Sequence, residues 1–227
     1  MNTVKIDSIN RKEALRYLAF KGDSPDENLL QLMDECEKNL TAAAKGRYIY
    51  RIFDIAENSG ERVVLSGCTL EMTGKDICAH LAGCEKAALL CATVGADVDN
   101  LIRRRQIEDM AAAVITDAMA GCAIEQVCDK AEEAIRESCP GMFMTWRFSA
   151  GYGDLPIELQ RQFLEVTNAG RTIGVFSNEN SILTPKKSVT AVIGLSYAPV
   201  EKKRSGCTAC KIRENCAYRK KGIRCYE

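Results

Sequence analysis

Residues 147–153, Arg-Phe-Ser-Ala-Gly-Tyr-Gly, are the most informative stretch of this chain, and Asp154 and Pro156 follow them closely. The stretch joins a permanent cation to a turn that has a glycine on each side of Tyr152. An Arg guanidinium can hold a carboxylate through two charge-assisted hydrogen bonds, and glycines let backbone amides approach a ligand closely. The pattern therefore indicates a small-molecule clamp, although the spacing alone is more typical of an ordinary turn between a strand and a helix.

A long helix is predicted ahead of this clamp, over residues 107–136, because apolar and small residues recur there at steps of three and four. Glu125 falls on the same predicted face, and a buried carboxylate needs a partner. That partner is either a ligand ammonium or hydroxyl, or a protein Arg with the small residues explained by close helix packing; the residues alone favour the second. The residues of the predicted face are Met110, Val114, Ala118, Gly121, Cys122, Val127 and Cys128.

The remaining pattern predicts an α+β fold with a curved, largely antiparallel sheet and flanking helices. Strand and helix segments do not alternate in regular βαβ units, and hairpin-like pairs of strands occur near both ends of the body. Helices are predicted over 11–20, over 25–40 with Pro25 in the first turn, after Gly74 and over 156–169, and strands over 48–55, 62–65, 87–94, 172–177 and 188–196.

Twelve cysteines divide into eight scattered through apolar segments and four that crowd into the last 21 residues. The second group has the spacing C-x2-C-x5-C-x8-C, which can supply four thiolates to tetrahedral zinc or to an iron–sulfur cluster. We predict an iron–sulfur cluster, with structural zinc as the alternative and an unmetallated or redox-active tail as the third possibility. The predicted ligands are Cys207, Cys210, Cys216 and Cys225.

The zero net charge hides an asymmetry between the two ends of the chain. Residues 201–227 carry nine Lys and Arg against three Asp and Glu, whereas residues 1–200 carry 22 against 28. This indicates a tail that meets an acidic surface or a negatively charged cluster, although a solvated basic extension is the commoner explanation. We predict a domain over 1–198 and a basic, Cys-rich metal-binding tail over 199–227.

Several classes of function are disfavoured by what the sequence lacks. It has no run of about 18 apolar residues and no hydrophobic segment near Met1, so we expect a cytoplasmic protein without a membrane partner. The basic tail has just two tyrosines for stacking, so nucleic-acid binding is not expected. The Gly-rich loop of doubly wound methyltransferases, a P-loop and the Asp-x-His-x-x-Gly segment that ligates cobalamin are all missing, and the lone histidine, His80, is predicted to be a surface or helix-packing residue.

The clamp and a second segment, Thr-Pro-Lys-Lys-Ser-Val-Thr-Ala-Val at 184–192, together resemble the S-adenosylmethionine-binding activation domain of cobalamin-dependent methionine synthase, here as a stand-alone protein. The resemblance runs over about 9–196 and is specific around 147–153 and 185–192.

By this resemblance, four positions of the clamp and one of the long helix would bind S-adenosylmethionine. Arg147 would bind the methionine carboxylate, and the backbone around Ser149 and Gly151 would hold the remainder of the ligand. Tyr152 would face the ligand and the incoming corrinoid, and Glu125 would be the family's ligand-binding Glu. Catalysis in this family comes from positioning and from the reactivity of the cofactors rather than from acid–base residues.

The resemblance implies reductive reactivation of a corrinoid enzyme, in which one electron reduces cob(II)alamin and S-adenosylmethionine then supplies a methyl group. Because the cobalamin-ligating segment is missing, a separate corrinoid-binding methionine synthase subunit would present the cobalamin. An electron donor such as flavodoxin or ferredoxin is expected, with a cluster on the tail delivering or relaying the electron. The alternatives are an activator of another corrinoid methyltransferase and a non-enzymatic interaction module whose tail is ordered by zinc.

Overall fold

A computed structural model describes residues 2–20, 24–200 and 214 of the chain. The elements in chain order are β1 (Asn2–Val4), α1 (Arg11–Tyr17), α2 (Glu27–Ala43), β2 (Gly46–Asn58), β3 (Arg62–Leu65), β4 (Glu71–Thr73), α3 (Lys75–His80), β5 (Lys86–Thr93), α4 (Ala96–Glu108), α5 (Met110–Ser138), β6 (Phe143–Met144), α6 (Leu159–Thr167), α7 (Ala169–Ile173), β7 (Phe176–Ser177), β8 (Leu183–Thr184) and β9 (Ser188–Ser196).

The main sheet is antiparallel at every pairing among the described residues, which confirms the predicted α+β class. Its strand order is β4-β3-β2-β5-β9-β6, and β1 also pairs with β2. Strand β2 is long enough to pair with β5 over 47–54 and with β3 beyond Ile55, and the register shifts between Ile55 and Glu57. Such an irregularity bends the strand, which carries the β3–β4 end of the sheet away from the rest.

The sheet is covered by helices on both faces, and β5 lies at its centre. Ala88 and Leu90 of β5 pack into a core shared with α1, α2, α4 and α5. Ala87 and Leu89 point the opposite way, into a second core shared with α3 and α6. Because side chains alternate along a strand, a strand that is buried on both faces is apolar throughout, which is why residues 87–94 were readable as a buried strand.

The predicted continuous helix over 107–136 is wrong at its beginning. Asp109 separates α4 from α5, and its Oδ1 accepts hydrogen bonds from the amides of Ala111 at 2.9 Å and Ala112 at 3.3 Å, so it caps the new helix. The first residues of the predicted apolar face lie in solvent: Met110 is 62% exposed and Val114 is 52% exposed. Further along, Cys122, Val127 and Cys128 of the predicted face are buried, and so are Met119, Ala123 and Ala131, which the prediction did not include.

Other predicted bounds shift because capping residues decide them. Helix α2 begins after its N-cap Asp26, so Pro25 lies before the helix and not in its first turn. Asn168 adopts a left-handed conformation that ends α6, and α7 then runs to Ile173, so most of the strand predicted over 172–177 is helix or loop. The strands over 62–65 and 188–196 have the predicted bounds.

Helix α5 is long and apolar enough to cross a membrane, and no other helix of the described ranges meets that test. In its most apolar stretch, 61% of the residues are buried against the sheet and the neighbouring helices. Such burial is typical of a helix in a protein core.

The predicted boundary at residue 198 comes two residues after β9 ends. The four tail cysteines, Cys207, Cys210, Cys216 and Cys225, lie outside the described residues, so the metal site and the division into two domains stay predictions. The other eight cysteines are free thiols, and within residues 2–20 and 24–200 no group of three or more His, Cys, Asp or Glu side chains is placed to hold a metal ion.

Candidate functional site

The two segments that carry the resemblance are neighbours at the edge of the main sheet. The Phe148 amide donates to the Val192 carbonyl at 3.0 Å, and the Val192 amide donates to the Phe148 carbonyl at 2.7 Å. Phe148 and the partly buried Trp146 join the core on the α3 side of the sheet, whereas Arg147 turns to helix α5 on the other side. Residues 146–148, the edge segment, therefore present a cation to one face of the sheet and two aromatic rings to the other.

The guanidinium of Arg147 is held by three carboxylates of α5. Its Nη2 lies 2.8 Å from Glu125 Oε2, and its Nη1 lies 3.0 Å from Asp129 Oδ1 and 3.2 Å from Glu132 Oε1. The three acids follow one another at steps of four and three, so they share one helix face. The four groups sum to a charge of −2, since one cation faces three anions.

The contact between Glu125 and Arg147 corresponds to the protein–Arg alternative for this carboxylate. The Glu125 side chain is 44% exposed, so it is not a buried carboxylate, whereas that of Arg147 is 23% exposed. Glu132 is more enclosed, and its burial raises the pKa of its carboxyl above the usual range, against the opposing effect of Arg147. A Cβ added to Gly121 would lie 3.2 Å from Tyr17 Cε2, so close packing of α1 on α5 accounts for the small residue there.

The Gly-flanked turn is closed by its own backbone. The Gly151 amide donates to the Leu155 carbonyl at 2.9 Å, and the Tyr152 amide donates to the Ser149 carbonyl at 3.0 Å. Gly151 has φ +87°, a value that favours glycine. The Gly151 amide that the resemblance would assign to a ligand therefore has a partner within the turn.

Asp154 fastens the same turn to helix α3. Its carboxylate accepts hydrogen bonds from the amides of Lys75 at 2.7 Å and Asp76 at 3.0 Å. These amides are at the beginning of α3, where the helix has no capping side chain from its own Gly74. Asp154 therefore caps a helix that is distant in sequence.

The rings of Trp146, Phe148, Tyr152 and His80 form an aromatic cluster on the α3 side of the edge segment. Trp146 and Tyr152 stack with centroids 6.4 Å apart, and the His80 ring lies 4.9 Å from Trp146 and 5.0 Å from Phe148. Tyr152 is 51% exposed and forms the outer end of the cluster. His80 is a helix-packing residue, as predicted, and its burial lowers its pKa to about 4, so its ring is neutral at pH 7.

Two groups of residues were missed from the sequence. Asp129 and Glu132 continue the helix face of Glu125, and this spacing could have identified them once Glu125 was paired with Arg147. The contacts of His80 with Trp146 and Phe148 bring together residues more than 60 positions apart, and no local pattern signals them.

Comparison with known proteins gives one informative kind of match. No family model matches the chain, and neither does any curated protein. The fold is similar to a crystal structure of the MetH reactivation domain bound to AdoHcy, with a TM-score of 0.63, 14% sequence identity, and coverage of 95% of this chain and 82% of that one. At this identity the similarity shows that the chain has the fold of the MetH reactivation domain.

Proposed function

We propose that this protein binds S-adenosylmethionine beside Arg147 and positions its methyl group for a cobalamin held by a separate corrinoid protein, as an activator or subunit of a cobalamin-dependent methionine synthase. The observation that carries the proposal is the similarity of fold, over 95% of the chain, to a domain solved with AdoHcy. AdoHcy is what S-adenosylmethionine becomes when its methyl group is lost.

The charges around Arg147 suit such a ligand. S-adenosylmethionine carries a carboxylate, an ammonium and a sulfonium group, so its net charge is +1, and it would meet a cluster whose charge is −2. Asp129 is the most exposed of the three acids, with 63% of its side chain exposed, so it is the one most readily released from Arg147 into solvent. The ligand carboxylate would replace Asp129 on Nη1 of Arg147, while the ligand ammonium pairs with the acid that is released.

The methyl group would leave the ligand near the exposed edge of the sheet. Tyr152 is half-exposed at the outer end of the aromatic cluster, which leaves it accessible to an incoming corrinoid. Its contact with a ligand beside Arg147 stays a prediction, because its ring lies on the α3 side of the sheet. In the family's reaction, one electron reduces cob(II)alamin, the sulfonium methyl passes to cobalt and AdoHcy leaves. The chain's contribution is to hold the ligand in line, because no residue of the described site is poised for acid–base chemistry.

The role proposed for the tail rests on its sequence alone. Four closely spaced cysteines within a basic segment suit an iron–sulfur cluster that relays the electron from a flavodoxin or ferredoxin. Metal analysis of anaerobically purified protein distinguishes iron and sulfide from zinc. If Cys207→Ser combined with Cys210→Ser leaves reductive activation unchanged with the physiological donor, the relay is wrong.

The binding step is tested by calorimetric titration with S-adenosylmethionine. We expect saturable binding that Arg147→Ala weakens by about tenfold or more, which corresponds to about 1.4 kcal/mol for a lost charge-assisted contact. Arg103→Ala is the matched control, because it removes the same charge from an exposed position on α4. Equal affinities in wild type and Arg147→Ala would contradict the assigned site.

Two outcomes separate the alternatives. Absence of binding together with zinc in the tail would favour the non-enzymatic interaction module. Binding of S-adenosylmethionine without activation of a methionine synthase, but with activation of another corrinoid methyltransferase, would keep the clamp and change the enzyme that it serves.

A further inference from the structure

A cleft on the opposite side of the fold from the Arg147 cluster lies between α6, α7 and β7. Its volume is about 350 Å³, at the lower end of the range of about 300–1,000 Å³ that small-molecule sites occupy. Leu164 and Val175 form a buried apolar floor. The cleft is built on the same helices that cover the α3 side of the sheet, so it is a part of the molecule that the proposed reaction does not use.

Two arginines line this cleft without an ion-pair partner. Within the described ranges no carboxylate lies within 4.0 Å of the guanidinium of Arg161 or of Arg171, and neither side chain makes a hydrogen bond, although Glu165 also lines the cleft. Most other described arginines have such partners, as Arg147 and Arg105 do. A pair of free guanidinium groups facing one cavity is suited to bidentate recognition of a phosphate group.

An exposed aromatic ring forms one wall of the cleft. Phe176 is 59% exposed, and a Cβ added to Gly170 would lie 2.7 Å from its Cε1, so the ring rests directly on the backbone of α7. A ring fixed in this way offers a flat apolar surface to a planar ligand. Asn168 and Ser177 add polar groups to the lining.

We propose that this cleft is a second binding site, for a nucleotide: a planar base attached to a sugar and one or two phosphates. Arg161 and Arg171 hold the phosphates, Phe176 stacks on the base, and the Glu165 carboxylate accepts from sugar hydroxyls. The proposal does not depend on the proposed function. The two arginines of this cleft favour an anionic ligand, whereas the net negative charge of the Arg147 cluster favours a cationic one.

The test is a fluorescence titration of the full-length protein with the ADP analogue TNP-ADP, followed by displacement with unlabelled ADP. We expect saturable, displaceable binding that Arg161→Ala and Arg171→Ala each weaken by about tenfold, and Phe176→Ala by a similar factor. All three side chains are on the exposed surface, so folding is expected to be unchanged, and thermal melting checks this. Arg103→Ala, a control for non-specific charge effects, is expected to bind as the wild type does.

Two further arms separate this site from the clamp. Arg147→Ala should leave TNP-ADP binding unchanged, and an excess of S-adenosylmethionine should not displace the probe. Lack of displaceable binding would overturn the proposal, as would an equal loss of affinity in Arg103→Ala. Displacement by S-adenosylmethionine that is lost in Arg147→Ala would also overturn it, because the probe would then be occupying the site beside Arg147.

Discussion

The two faces of the edge segment have opposite effects on the charge of an ionisable side chain. On the α5 face, Arg147 is largely enclosed yet keeps its charge, because three carboxylates surround it. On the α3 face, His80 is enclosed by aromatic rings and loses its charge, since its pKa falls to about 4. Burial removes the charge of an ionisable group unless opposite charges are close. The residues that face the two sides, Trp146, Arg147 and Phe148, are consecutive in the chain.

The largest effect is expected from removing the cation of the charged face. Arg147→Ala leaves three carboxylates close together without their counter-charge, so we expect the free energy of unfolding to fall by about 2 kcal/mol at pH 7, allowing for partial exposure. Urea denaturation measures this. Asp129→Asn removes only an exposed partner and should cost less than about 0.5 kcal/mol. Equal losses in the two variants would mean that Arg147 is not the centre of the network.

The Gly-flanked turn that follows Phe148 is expected to be nearly as sensitive. Gly153 has φ +55°, and a Cβ there would overlap the Asp76 carboxylate, whereas Gly67 has φ +66° with no atom within 4 Å of an added Cβ. Gly67→Ala therefore isolates the cost of the left-handed backbone, about 1 kcal/mol, and Gly153→Ala should cost about 1 kcal/mol more. Thermal or urea unfolding compares them, and identical values would show that the approach to α3 contributes nothing.

The smallest effect is a dependence on pH that belongs to the aromatic face. His80 has a folded-state pKa of about 4, below its ordinary value of 6.5, so the unfolded chain binds a proton that the folded chain does not. This contribution to stability is present above pH 6.5 and is lost as the pH falls towards 4. Between pH 7 and 5.5 we expect a loss of about 1 kcal/mol that is missing in His80→Gln. Parallel pH profiles in the two proteins would contradict the neutral, partly buried state of His80.

The sequence predicted best those elements whose pattern is local. Residues 87–94 form an apolar run that is buried on both faces of the sheet, and residues 188–196 begin and end as predicted. Prediction failed at Asp109, where one cap divides two helices, because an Asp within an apolar periodicity is compatible with either a surface position or a cap. With that break missed, Met110 was assigned to the core although it lies in solvent.

Two members of the Arg147 cluster were named from the sequence, and their role in binding a ligand stays a prediction. Arg147 and Glu125 were both identified, and the fold brings them within 2.8 Å. The partners of the turn could not be inferred, because Asp154 reaches amides 78 and 79 positions away in the chain, and such a contact exists only once the sheet has formed.

The turn over 148–155 is fastened at one end to β9 through Val192 and at the other to α3 through Asp154. A segment held at both ends has little conformational freedom left to lose when a ligand arrives, because the cost of ordering it was met when the chain folded. Binding at this edge should then occur in one step. The observed rate of association would rise linearly with ligand concentration, without the plateau that a slow closing of the turn would produce.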